Sequence, residues 1–166
     1  MEWKVRAIRG ATTASENTVE AIREVVTELL DEIETHNQLD PEDIISVIFT
    51  ATPDLDAIFP AAIARERPRW ENVPLLDVQQ MSVKGSIERC IRVLIQVNTF
   101  KRQVEIHHSY LRGAKNLRRD WSLAQLSTPA STSFPFSFPS PIELLHKFLT
   151  FWQSGTTGKS LDKIDA

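Results

Sequence analysis

The chain has 166 residues, with 19 Lys plus Arg against 22 Asp plus Glu, a formal charge of -3 and a pI near 5.8. Hydrophobic residues at 42% and charged residues at 25% suit a chain that buries a core, which excludes wholly disordered, collagen-like and coiled-coil classes. A single cysteine, Cys90, excludes an intrachain disulfide and a multi-cysteine metal site, so no metal centre is expected and a reducing, cytoplasmic setting is.

Met1 to Arg6 lacks the apolar run of a secretion signal, and no stretch reaches the roughly 20 apolar residues of a bilayer crossing. Net negative charge without a Lys/Arg stripe argues against nucleic acid as a partner.

In chain order, Val5-Arg6-Ala7-Ile8-Arg9 alternates with period two and predicts a half-buried strand, broken by Gly10-Ala11-Thr12-Thr13. Val19, Ile22, Val25, Val26, Leu29, Leu30 and Ile33 recur at three- and four-residue steps. They predict a helix, with Asn17 as N-cap and Glu20 as its reciprocal partner. Asp40-Pro41 predicts a turn or short helix start, and Ile44 to Ala51, apolar without alternation, a strand covered on both faces.

Pro60 to Arg67 predicts one or two helical turns stopped by Pro68, Val73 to Gln79 a strand, and Ser86 to Arg89 a short helix. In Cys90 to Val97, the residues Ile91, Val93, Ile95 and Val97 share one strand face and Arg92 points the other way. His107 to Leu111 reads as a last strand and Ala114 to Arg118 as a helical turn. Interleaved helices and about five strands make the body α/β or α+β. Ser127 to Pro141 holds only Ser, Thr, Pro, Phe and one Ala, which sets a boundary between a body, 1–126, and a low-complexity tail, 127–166. The tail is expected to be disordered, apart from a short amphipathic helix over 142–152.

No Gly-x-Ser-x-Gly and no phosphate-cradling glycine loop is present, which argues against the familiar hydrolases and kinases. His107-His108 has no carboxylate cluster beside it in sequence and reads as an ordinary strand pair. Cys90 reads as a small hydrophobe. Arginines, by contrast, sit at unusual places: Arg9 at a strand end before a glycine, Arg65 and Arg67 on a short helix, Arg92 inside an apolar strand, Arg118-Arg119 at the end of the body. Guanidinium groups bind carboxylates through paired planar hydrogen bonds, and an arginine within a β-branched strand is costly to cover unless an anion meets it. A small dianion is the implied ligand, against the plainer alternative of an exposed face or a structural ion pair.

Three runs carry a resemblance: Arg6-Ala7-Ile8-Arg9-Gly10-Ala11-Thr12-Thr13, Thr50-Ala51-Thr52-Pro53-Asp54-Leu55-Asp56-Ala57-Ile58-Phe59-Pro60, and Cys90-Ile91-Arg92-Val93. In order and spacing they resemble the signature stretches of the monofunctional AroH class of chorismate mutase, over about residues 4–125. The resemblance implies a mixed five-stranded sheet with helices on one side, three such subunits forming a pseudo α/β-barrel homotrimer with active sites between neighbours. It implies the Claisen rearrangement of chorismate to prephenate, on the way to phenylalanine and tyrosine, without cofactor or metal.

By the same resemblance, Arg92 is the cation beside the breaking ether bond. Arg9 and Tyr110 hold a substrate carboxylate, Phe59 and Leu117 wall the cleft, and Arg65 and Arg118 stand near its mouth. Two positions depart from the pattern. Gln80 stands where a glutamate is usual, keeping an acceptor for the substrate ring hydroxyl but losing the charge, and Asp77 stands where a cysteine is usual, at a site used mainly through its backbone. Gln80 also admits a non-catalytic trimer that binds chorismate or another dicarboxylate. A trimeric imine deaminase of the Rid type fits neither the Arg-Gly-Ala-Thr-Thr nor the Ala-Thr-Pro-Asp-Leu run.

Overall fold

The computed structural model describes residues 2–120. The tail, its boundary near residue 126 and its expected helix lie outside these residues. Within them, β1 (Lys4–Thr13), α1 (Val19–Asn37), β2 (Ile44–Ala51), α2 (Pro60–Arg65), β3 (Leu75–Gln79), β4 (Cys90–Thr99) and β5 (Ser109–Tyr110) follow one another, with 3-10 turns at Pro41–Asp43, Gln103–Glu105 and Arg112–Arg118.

The strands form one mixed sheet in the order β3-β2-β4-β1-β5. β4 runs antiparallel to both β1 and β2, while β2 with β3 and β1 with β5 are parallel pairs. This is the mixed five-stranded sheet anticipated above.

Strand alternation sorts the side chains into two faces. Ile8, Ile91, Val93, Ile95, Val47 and Phe49 point to one face and are buried there with Ile22, Val25, Val26, Leu29, Leu30 and Ile33 of α1 and Ile63 and Ala64 of α2. Each such Val, Leu, Ile or Phe side chain taken out of water contributes about 1.5–3 kcal/mol, and this face is the core.

α1 starts one residue later than expected. Thr18, not Asn17, is the N-cap, its hydroxyl accepting from Ala21 N at 3.2 Å. Asn17 instead holds the loop after β2: its Oδ1 accepts from Asp56 N at 3.0 Å and Ala57 N at 3.1 Å. Glu20 is then two residues from the cap rather than three, so no capping box forms.

The expected break at Gly10 is absent, and β1 continues to Thr13. A Cβ at Gly10 would lie 2.9 Å from Ile33 Cδ1 and 3.1 Å from Leu29 Cδ1, so glycine here lets α1 approach the sheet rather than turning the chain. Ser86 to Arg89 is not helical, and the last strand is confined to Ser109–Tyr110. β2 is covered on one face only: Ile45 is exposed and Ile48 and Thr50 are half-buried.

Arg67 lies just past α2 and is structural. It pairs with Asp31 at 2.7 Å and Glu34 at 2.5 Å on α1, and Glu34 also accepts from the indole of buried Trp70 at 2.8 Å.

Candidate active site

The second face of the sheet carries the polar residues. Register places Val78, Thr50, Arg92, Ala11 and Tyr110 in one row across all five strands. At about 4.8 Å per strand, Arg92 and Tyr110 stand roughly 10 Å apart along that row. Arg9 lies two residues along β1 on the same face, opposite Leu94. The side chains of Arg9, Arg92 and Tyr110 therefore share one sheet face.

Arg92 is half-buried, and its Nε is buried with no hydrogen-bond partner among the described residues. Leaving a charged donor so placed costs several kcal/mol unless an anion satisfies it. Its neighbour Cys90 is buried; burial raises the thiol pKa against the opposing pull of the Arg92 guanidinium, which keeps the sulfur protonated and inert.

Tyr110 and His108 record the local field. Burial raises the Tyr110 pKa above its ordinary value, while the charges of Arg9, Arg118 and Arg92 all pull it down. His108 is lowered to about 4, first by burial and then by Arg9, His107 and Arg118. Three guanidinium groups from β1, β4 and the 112–118 turn thus converge on one corner, where His108 is neutral at physiological pH. The Nδ1 of His108 accepts from Arg9 N at 3.0 Å, fixing the main chain that carries Arg9. Arg118 pairs with Asp120, NH2 to Oδ2 at 2.7 Å, and neighbouring Leu117 is partly exposed.

The Thr52-Pro53-Asp54 run sets the start of β4. Thr52 Oγ1 accepts from Cys90 N at 2.9 Å and donates to Asp54, whose other oxygen accepts from Arg89 N at 2.7 Å. Burial pushes the Asp54 carboxyl up, but the Thr52 and Arg89 hydrogen bonds outweigh it and leave the group below the usual carboxylate value. Arg92 follows Cys90 by two residues, so this run fixes the stretch of β4 that carries the arginine.

Phe59, Arg65 and Asp77 form a second group. Phe59, 72% exposed, caps α2 and lines a pocket of about 580 Å³ with Thr52, Ile58, Asp77 and Val78. Asp77 faces the helices: its Oδ1 accepts from Ala61 N at 3.1 Å, and burial raises its pKa against the charge of Arg65. Its side chain is therefore engaged within the fold. Gln80 N donates to Ala51 O at 2.9 Å, and Gln80 Oε1 is buried with no hydrogen-bond partner among the described residues. Arg9, Arg92, Tyr110, Leu117 and Arg118 do not line the Phe59 pocket.

The family model for chorismate mutase type I matches residues 5–121. The chain belongs to the type I chorismate mutase family. It is 42% identical over 121 residues to chorismate mutase AroH of Bacillus subtilis, covering 73% of this chain and 95% of the relative. To chorismate mutase AroH of Thermus thermophilus it is 44% identical over 122 residues, covering 73% and 99%. A solved chorismate mutase from Clostridium thermocellum superposes with a TM-score of 0.64 at 49% identity, covering 66% of this chain and 97% of that one.

Within this chorismate mutase fold, sequence reasoning passed over Thr52 and Asp54 as individual residues, and His108 and Asn17 as positioning groups. The Ala-Thr-Pro-Asp-Leu run was the available signal for the first two. No local pattern marks His108, whose partner Arg9 lies 99 residues away.

Proposed function

We infer that the protein converts chorismate to prephenate by an intramolecular Claisen rearrangement, an isomerisation serving phenylalanine and tyrosine synthesis. The observation that carries this reading is Arg92, a half-buried arginine whose Nε has no hydrogen-bond partner among the described residues, on the same sheet face as Arg9 and Tyr110. Bonds break and form within one molecule, so the protein needs no nucleophile. It must hold the compact chair conformer and stabilise charge developing on the ether oxygen.

Arg92 donates to that oxygen and to an adjacent carboxylate, a contact that strengthens as the carbon–oxygen bond lengthens. Arg9 and the neutral Tyr110 hydroxyl hold a carboxylate. Gln80 Oε1, without a hydrogen-bond partner among the described residues, is an acceptor for the substrate ring hydroxyl, which keeps the role of the usual glutamate without its charge. Phe59 and Leu117 supply apolar walls, while Arg65 and Arg118 draw the dianion toward the cleft. A non-catalytic dicarboxylate binder finds no support among the similar proteins above.

We further propose a homotrimer with each site between two subunits. The open sheet face exposes apolar Leu76 and Val78, and beside them lie half-buried Ile48 and Leu94, a surface suited to burial against a second copy. Arg9, Arg92 and Tyr110 do not line the Phe59 pocket, and the row from Val78, which does line it, to Tyr110 spans four strand steps, about 19 Å. One small dianion meets both groups when a neighbour contributes one of them. A reducing cytoplasm suits the free Cys90, and among the described residues no helix is long and apolar enough to cross a membrane.

The test is subunit complementation. Arg92→Ala and Phe59→Ala/Arg65→Ala chains are each expected to be poorly active, and refolding them together should regain part of the prephenate formation by building some unmutated sites. A mixture no more active than its parts, with light scattering showing trimers, would overturn the shared site.

A further inference from the structure

We propose that Glu32, His36 and His107 form a binding site for a divalent transition-metal ion of the zinc type, apart from the arginine corner. Each offers a ligand atom, and the three atoms lie within 4.8 Å of one another. Glu32 and His36 are one helical turn apart near the end of α1, so both project from one side of the helix. His107 comes from the segment leading into β5. Two imidazoles and a carboxylate with a fourth position open to solvent are the donor set that suits zinc, and also copper or nickel, in preference to calcium or magnesium.

The surrounding hydrogen bonds are those of a prepared site. His36 Nδ1 lies 3.0 Å from Glu32 O, the backbone partner that orients a ligating imidazole and leaves its Nε2 lone pair outward. Buried Asn37 grips the main chain of His107 at both ends of its side-chain amide: Nδ2 donates to His107 O at 3.0 Å, and Oδ1 accepts from His107 N at 2.9 Å. His107 is thereby held beside His36, with ring centroids 4.2 Å apart and planes inclined by 16°. For both imidazoles to face one ion, the stacked rings splay apart. Glu32, with its oxygen 3.4 Å from His36 Nδ1, then closes the third side by a rotamer change. The His36 and Glu32 side chains are 44% and 40% exposed, so an ion can enter.

An ion there joins the C-terminal end of α1 to the segment that carries His108 and Tyr110, and binding to the folded chain alone raises its thermal stability. Zinc chloride titrated calorimetrically into the full chain should show saturable uptake of one ion per chain and a zinc-dependent rise in Tm. His36→Ala and His107→Ala should each weaken uptake by more than about a hundredfold, beyond the roughly 10- to 100-fold that loss of an outer partner typically costs. The Asn37 clamp holds main-chain atoms, so removing the His107 imidazole leaves it in place. His146→Ala, outside the described residues, should leave uptake unchanged. Anomalous scattering from a zinc-soaked wild-type crystal should peak between the three side chains. Absence of saturable uptake, uptake retained in the His36→Ala/His107→Ala double variant, uptake lost with His146→Ala, or a peak elsewhere would each overturn the site.

Discussion

The two faces of the sheet are written in the same strands and do opposite work. In β4, Ile91, Val93, Ile95 and Val97 are buried against the helices, while Arg92, Leu94 and Gln96 between them face the other way. In β1, Gly10 admits α1 on one side while Arg9 stands on the other. The helix face is mainly apolar and buried, with Thr12 and Asp77 its polar members. The open face mixes apolar residues with arginines and holds a buried donor, Arg92 Nε, that has no hydrogen-bond partner among the described residues. A two-residue period thus separates stability from chemistry, so substitutions on the two faces should fail in different assays.

Phe49→Ala should have the largest effect on the helix face. It empties a fully buried site beneath α1 and should lower unfolding free energy by about 3–5 kcal/mol. Urea denaturation is the check. Any activity loss should follow the unfolded fraction; a folded, stable and inactive Phe49→Ala protein would break the division between faces.

Acid should expose the next largest effect. The folded-state pKa of His108 is about 4 against an ordinary 6.5, so the unfolded chain binds more protons between those values. Its contribution is complete above pH 6.5 and is lost as the pH falls toward 4, at most about 3 kcal/mol and less for the solvent screening of a half-buried ring. His107 is lowered too, by burial and then by His36, and acts with the same sign. Urea midpoints measured from pH 7 to pH 4 should fall more steeply for the wild type than for His108→Gln. Parallel curves would remove His108 from its neutral, Arg9-bound role.

Gln80 sharpens the comparison on the open face. Gln80→Glu restores a charged acceptor, whose hydrogen bond is about twice as strong as a neutral one, and should raise kcat/KM by up to about tenfold. Gln80→Ala should lower it by about tenfold, the equivalent of one hydrogen bond. A rise from no activity to high activity in Gln80→Glu would mean that the native chain is a degenerate mutase.

Much of this was legible along the chain where periodicity reports burial within one subunit. The three- and four-residue spacing of α1 and the alternation of β4 gave both elements and put Arg92 on the right face. Gly10 misled because composition marks glycine as a turn residue, whereas here it is required by Leu29 and Ile33 of α1, which a Cβ would meet. Thr18 displaced Asn17 as cap because Asn17 serves a loop 39 residues away. The continuous apolar run of β2 predicted cover on both faces, which a single subunit does not provide and the proposed trimer would. The roles of Arg9, Tyr110, Gln80 and Phe59 came from the resemblance rather than from spacing. The meeting of Glu32, His36 and His107 left no trace in local sequence, because it depends on Asn37 reaching across 70 residues.

The most direct measurement follows chorismate loss and prephenate formation by the wild type and by Arg92→Ala, with Tm recorded for both. The account predicts turnover by the wild type and a loss of at least about a hundred- to thousandfold in the variant, the usual cost of removing a preorganised oxyanion donor, at little change in Tm. A wild type that binds chorismate without turning it over, or an Arg92→Ala protein nearly as active as the wild type, would contradict it.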